Sequence, residues 1–193
     1  MHIEFIKNYY VRDRLDNHKA IKLQALSLID HANNNGVEDI NENYNSKISK
    51  LDWKHNADFE RPWVKIILPS LTKKLDEMID AIGYKSIDMK VIWYQQYTKN
   101  CMHDWHVHSE NYTGVYYLEY PDGAPATNLY DDGMLTPQVS EGDVVIFPAM
   151  TPHQAPMVKS DGRKTIISYN FNVSDLNSNY LKEIRDVEWQ TKI

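Results

Sequence analysis

HDWHVHSENYTGVYYLEY, residues 103–120, sets His103, His106 and His108 within six positions and then runs into a segment dense in Val, Tyr and Leu. On a β-strand alternate side chains share a face about 7 Å apart. His106 and His108 can therefore converge on one cation through bonds of about 2.1 Å. The last histidine of the chain is His153, in VVIFPAMTPHQAP (144–156), at a strand end bounded by prolines. An isolated His-x-His is more often two ordinary rings than a ligand pair, so the case rests on what accompanies it. His103 reads as a surface residue or a support for ligands. His2, His18, His31 and His55 have no partner spacing and receive no role.

Around this stretch the period is that of strands. IDMKVIWYQQY (87–97), TGVYYLEY (113–120), TNLYD (127–131), GDVVIFP (142–148) and KTIISYNFNV (164–173) are short, β-branched or aromatic, and punctuated by Gly, Pro and Asp. They predict a compact antiparallel sandwich or barrel with helices packed outside. Before them, HKAIKLQALSLIDHANNNG (18–36) places Ile21, Ala25, Leu28 and Ile29 on one helical face and ends at Gly36. SLTKKLDEMIDAIG (70–83) repeats Leu71, Leu75, Met78, Ile79 and Ile82 at helical spacing, with Ser70 as cap and Gly83 as stop. Residues 37–62 read as a surface connection, and SNYLKEIRDVEWQTKI (178–193) as a short helix through Leu181 and Ile184. One domain is expected over 1–193, with a helical support region 1–84, a β core 85–173 and a tail 174–193.

Composition narrows the function. Forty-two per cent hydrophobic residues with 13 Tyr and 5 Trp support a packed core. A net charge of −6 with no Lys/Arg block argues against nucleic acid as partner. No apolar run suits a membrane span, and MHIEFIKNYY is too short and acidic for a signal peptide, so a cytoplasmic protein is expected. A single cysteine, Cys101, leaves His and carboxylates to hold any metal. Ten residues past His153, Arg163 opens the last β segment with Thr165 on the same face. A guanidinium turned into a barrel needs an anion, and its planar fork suits a carboxylate. Otherwise Arg163 closes the turn SDGRK at the surface.

Together these motifs resemble the Fe(II)- and 2-oxoglutarate-dependent oxygenases, in particular the prolyl-hydroxylase-like branch and related sequences of bacteria and phages. The resemblance runs from about Tyr94 to Val173 and is carried by His106-Val107-His108, Val115-Tyr116-Tyr117-Leu118, His153 and Arg163. It implies an α+β protein with a double-stranded β-helix (jelly-roll, cupin-like) core and supporting N-terminal helices. It implies His106 and His153 as catalytic histidine ligands for Fe(II), with His108 at the position of the third. For the co-substrate 2-oxoglutarate it implies Arg163, aided by Thr165, Tyr117 and Tyr97. The implied reaction hydroxylates a C–H bond of an amino-acid or peptidyl substrate with O2, releasing succinate and CO2, in the cytoplasm or in a host cytoplasm if phage-encoded. The family usually has Asp where this chain has His108. Either three histidines bind the metal, or a shifted register makes His108-Ser109-Glu110 a His-x-Glu pair; the spacing of HVH to VYYL favours the first. Asp104 reads as an acid orienting a ligand histidine. YPDGAPATNLYDDG (120–133) reads either as a lid over a mouth lined by Trp105 and Tyr112 or as a plain hairpin connection. The alternatives are a three-His cupin-type metalloenzyme that does not use 2-oxoglutarate and a non-catalytic cupin-like binding module.

Overall fold

A computed structural model describes residues 8–32 and 46–190. The expected helix stop at Gly36 and the start of the 37–62 connection lie outside them. In chain order the elements are β1 (Val11–Arg14), α1 (His18–Ala32), β2 (Lys50–Leu51), a 3-10 turn (Trp53–His55), α2 (Pro62–Ala81), β3 (Tyr84–Tyr97), β4 (His103–His106), β5 (Tyr112–Glu119), β6 (Asn128–Tyr130), β7 (Met134–Leu135), β8 (Asp143–Pro148), β9 (His153–Ala155), β10 (Lys164–Leu176) and α3 (Ser178–Gln190). The strands form two antiparallel sheets. The larger has six strands in the order β1-β8-β5-β10-β3-β2, and the smaller has four in the order β4-β9-β6-β7. This is a double-stranded β-helix with helices on the outside of the large sheet.

Alternation along the large sheet divides the core in two. One face sends Ile92, Tyr94, Tyr116, Ile146, Ile167 and Tyr169 against α1 and α2, which contribute Ile21, Ala25, Ile29, Trp63, Ile67 and Leu71. The opposite face sends Trp93, Tyr97, Val115, Tyr117, Phe147 and Ile166 toward Leu129 and Ala155 of the small sheet. Each fully buried side chain of this size contributes about 1.5–3 kcal/mol. The outer layer therefore anchors the helices and leaves the inner layer free to carry polar groups. Gly114 allows the close approach: a Cβ there would stand 2.4 Å from the Tyr169 ring. Asp52 ties the layers together. It accepts from the Tyr94 backbone N–H at 2.8 Å, from Trp63 Nε1 at 3.0 Å and from Arg61.

Two helical expectations shift. Helix α2 begins at Pro62, eight residues before Ser70, and runs through Pro69. Ser70 is thus no cap; its hydroxyl accepts a bond from Asn17 Nδ2 at 2.8 Å. Pro62 favours a first helical turn because its missing N–H is unpaired there anyway, and Leu71 and Leu75 bury the face that outweighs Pro69. The expected stop holds, with Gly83 at φ +96. The Gly/Pro loop is not a free lid: Ala126, Thr127 and Asn128 are buried, and the last of these opens β6. Tyr112 packs among Tyr84 and Phe171 on the outer face and lines no mouth.

Candidate active site

His106 ends β4, His108 follows it, and His153 opens β9, directly opposite His106 in the ladder. One ring nitrogen from each of the three lies within 4.8 Å of the others. His108 is not on the strand as the alternation argument supposed. The chain leaves β4 after His106, the His108 N–H bonds the Ala149 carbonyl at 2.9 Å, and this bend swings the ring back. His106 Nδ1 lies 2.7 Å from the Asp104 carbonyl, and His153 Nδ1 lies 3.0 Å from the Thr151 carbonyl. A carbonyl only accepts, so both Nδ1 atoms carry the proton and both Nε2 atoms keep a lone pair. This outer support is what a ligand histidine requires. Asp104 contributes it through its backbone, since its carboxylate caps the Trp105 N–H at 2.8 Å.

Burial also holds the rings neutral. It pushes the His108 pKa down to about 4, with the nearby His106 adding to the effect, and pushes His153 well below its ordinary value. Neutral imidazoles bind a cation without first losing a proton. Glu110 stays out of the cluster; it accepts from Asn170 Nδ2 at 3.0 Å. Beneath the rings is a cavity of about 20 Å³ bordered by Trp93, Gln95, Tyr97, Thr113 and Ser168. That holds about one water.

Neither a family model nor a curated protein matches the sequence. Solved structures do. The α-ketoglutarate-dependent epimerase of nogalamycin biosynthesis is similar at TM-score 0.66 and 10% identity, covering 86% of this chain and 77% of its own. A prolyl-4-hydroxylase from Pseudomonas putida is similar at TM-score 0.61 and 10% identity, over 86% of this chain and 93% of that one. A prolyl hydroxylase from Trichoplax adhaerens, in complex with a hypoxia-inducible-factor peptide, is similar at TM-score 0.58 and 15% identity, over 84% and 83%. The fold is that of the 2-oxoglutarate- and Fe(II)-dependent oxygenases. Identities this low establish fold alone.

Within the oxygenase fold, the residues expected at the co-substrate end divide. Tyr97 and Tyr117 lie inside, fully buried. The Tyr117 hydroxyl donates to Thr127 Oγ1 and accepts from the Thr127 N–H, both at 3.1 Å. The Tyr97 hydroxyl is buried without a partner among the described residues. Arg163 and Thr165 share a face as expected, but it is the face turned away from the cavity. The Arg163 guanidinium bonds Glu119 and Asp30, each at 2.7 Å, and Thr165 Oγ1 donates to the same Glu119 at 2.7 Å. Arg163 thus already has its anions. The inward residue is its neighbour Lys164, which sequence reasoning missed. Lys164 has no exposed surface; its Nζ donates to the Pro125 carbonyl at 2.7 Å and lies 5.4 and 5.9 Å from the rings of Tyr97 and Tyr117. No carboxylate meets it among the described residues, and burial alone drives its pKa down to about 7. Two cues point to it in the sequence: a second cation beside the arginine, and an alternation Lys164, Ile166, Ser168 that shares the face of the cavity.

Proposed function

We propose that the chain is an Fe(II)- and 2-oxoglutarate-dependent oxygenase in which His106, His108 and His153 hold the metal and Lys164 receives the distal carboxylate of the co-substrate. The observation that carries this reading is a cluster of three neutral imidazoles and a buried, anion-less lysine inside one oxygenase-fold barrel. When bound, Fe(II) and 2-oxoglutarate supply oxidation of a substrate C–H bond by O2 with release of succinate and CO2. The protein's residues do the rest. Asp104 and Thr151 fix the ligand rings through their carbonyls, and the inner apolar layer excludes water. Lys164 costs stability while unpaired and regains its charge beside a dianion, so ordering of the amine and binding of the co-substrate go together. Tyr117, held by Thr127, and Tyr97, with an unused hydroxyl, flank that amine and can bond the same carboxylate. Arg163 and Thr165 serve the outer wall instead, bracing Glu119 and, through Arg163, Asp30 of α1.

The substrate is a small molecule or a peptidyl side chain, and hydroxylation is the outcome proposed. Both choices of substrate have a counterpart among the neighbours, one being a complex with a peptide and another an epimerase of nogalamycin biosynthesis. The test needs no substrate guess. Purified protein given Fe(II), ascorbate, 2-oxoglutarate and air should form succinate. His106→Ala and Lys164→Met should abolish that turnover, while Arg163→Met should keep it. Turnover that survives Lys164→Met but fails in Arg163→Met would reverse the assignment. Metal binding without any effect of 2-oxoglutarate on the site would favour the three-His metalloenzyme alternative.

A further inference from the structure

A fourth histidine faces this cavity, and its environment is unlike that of the three ligands. His103 stacks on His106, with ring centroids 3.9 Å apart and planes 22° from parallel. Ser168 Oγ donates to Gln95 Oε1 at 3.0 Å, and Gln95 Nε2 approaches His103 Nδ1 at 3.4 Å. An amide nitrogen only donates. With its oxygen held by Ser168, Gln95 must present N–H to His103, so Nδ1 accepts and the ring proton sits on Nε2. That Nε2–H has no protein partner among the described residues. His106 and His153 carry their protons on Nδ1, so His103 has the opposite tautomer. It offers a proton where they offer lone pairs, which makes it a poor fourth ligand and a good anion donor.

The charge balance of the cavity calls for such an anion. No carboxylate lines it among the described residues. Three imidazoles leave the charge of a divalent metal undiminished, where a carboxylate ligand would cancel one unit. A protonated Lys164 adds another, and a dianionic co-substrate removes two, which leaves one positive charge in a water-poor space. That excess is relieved by a further carboxylate. Its place is not the lysine end. Lys164 and Ser168 are four residues apart on one strand face, about 13 Å, so Ser168, Gln95 and His103 stand at the opposite end from the distal carboxylate of the co-substrate.

We propose that Ser168 and Gln95 position His103 as a hydrogen-bond donor to a carboxylate on the substrate, so that the site selects a carboxylic acid over a neutral peptide segment. This rests on the oxygenase reading for the metal and co-substrate. Two readouts that do not depend on turnover test it. In imidazole ¹⁵N spectra of the metal-free protein, with His103 assigned from its loss in His103→Gln, His103 carries its proton on Nε2 and His106 and His153 on Nδ1. A proton on Nδ1 of His103 overturns the proposal. In the second, Co(II)-loaded protein saturated with 2-oxoglutarate under argon is titrated with acetate or acetamide and followed by visible absorption. Acetate produces a saturable change and acetamide none. His103→Leu weakens the acetate response at least about tenfold, the worth of one charge-assisted bond. His103→Gln, which restores a donor, recovers most of it. Gln95→Met, with the ring intact, loses part of it and mixes the tautomers. An acetate response unchanged in His103→Leu, or matched by acetamide, overturns the proposal. A Co(II) spectrum indifferent to 2-oxoglutarate refutes the co-substrate reading instead, and the acetate arm is then read on Co(II) alone.

Discussion

Arg163 and Lys164 are adjacent in sequence and opposite in environment. One lies on the outer wall, a third exposed at its side chain, with two carboxylates on its guanidinium. The other points inward with no exposed surface, its ammonium on a carbonyl beside two tyrosine rings and, among the described residues, on no carboxylate. A strand turns successive residues to opposite faces, so one position separates a cation paired with two carboxylates from a buried one that meets none among the described residues. A paired cation near solvent adds little stability and loses little when removed. An unpaired buried one is held against its own desolvation, which makes sense where something anionic enters.

The sharpest break between the inner and outer faces comes from the three clustered histidines. His153→Ala removes the most buried of the three rings proposed to hold the metal. Outer residues that orient ligands typically cost 10–100-fold in metal affinity; loss of this ring should cost more. Metal analysis after dialysis against Fe(II) or Co(II) should find the wild type stoichiometric and the variant empty. A variant that retains full metal would remove the centre from the three-histidine cluster.

Next in size is Lys164→Met. Breaking a buried ion pair costs about 3–5 kcal/mol, roughly 10²–10⁴-fold in 2-oxoglutarate affinity, measured by calorimetry on Co(II)-loaded protein. The same variant tests the cost of the amine in the ligand-free state. The pKa of Lys164 is lowered to about 7 in the fold, against about 10.4 for an unfolded lysine. Between those values the unfolded chain binds the extra proton, so this residue makes stability rise with pH from about 7 to 10 and penalises the fold below 7. Urea unfolding of ligand-free protein at pH 7.5 and 9.5 should show that rise in the wild type and a smaller one in Lys164→Met. Equal slopes would mean that Lys164 keeps its charge in the fold.

The outer cation gives the smaller effect. Arg163→Met should leave 2-oxoglutarate affinity within error and cost about 0.5–1 kcal/mol in urea unfolding, the range of partly exposed pairs. A hundredfold loss of 2-oxoglutarate affinity there would erase the distinction between the two neighbours.

These effects also mark where the sequence was legible. The five aromatic and β-branched segments had the period of strands, and all five are strands. His106 and His153 were visible because a His-x-His before a hydrophobic strand and a Pro-bounded distal histidine are unusual together. The phase of β10 was not visible. Its pairing with β5 shifts register between Thr165 and Ile166, and in a run where Lys164 through Phe171 are all buried hydrophobicity does not say which alternate set faces in. β1, with the sequence VRDR, carries no apolar alternation and is a strand only because β8 offers it an edge. His103 was set aside because its role depends on Gln95 and Ser168, neutral residues from β3 and β10 that no spacing rule joins.

The smallest expected effect is the most discriminating for the ligand set. Glu110 is the only acid that a shifted register could bring to the metal, and its carboxylate is held by Asn170 instead. Glu110→Ala should therefore leave metal affinity unchanged, while His108→Ala lowers it by more than the 10–100-fold of an outer residue. Glu110→Ala separates the two registers, because Glu110 is a ligand only in the shifted one, whereas His108 serves in both and its loss measures the cost of a ligand. Loss of metal in Glu110→Ala would mean that the loop after His106 rearranges on loading. The site would then regain a carboxylate, and with it the negative charge whose absence sets this cavity apart.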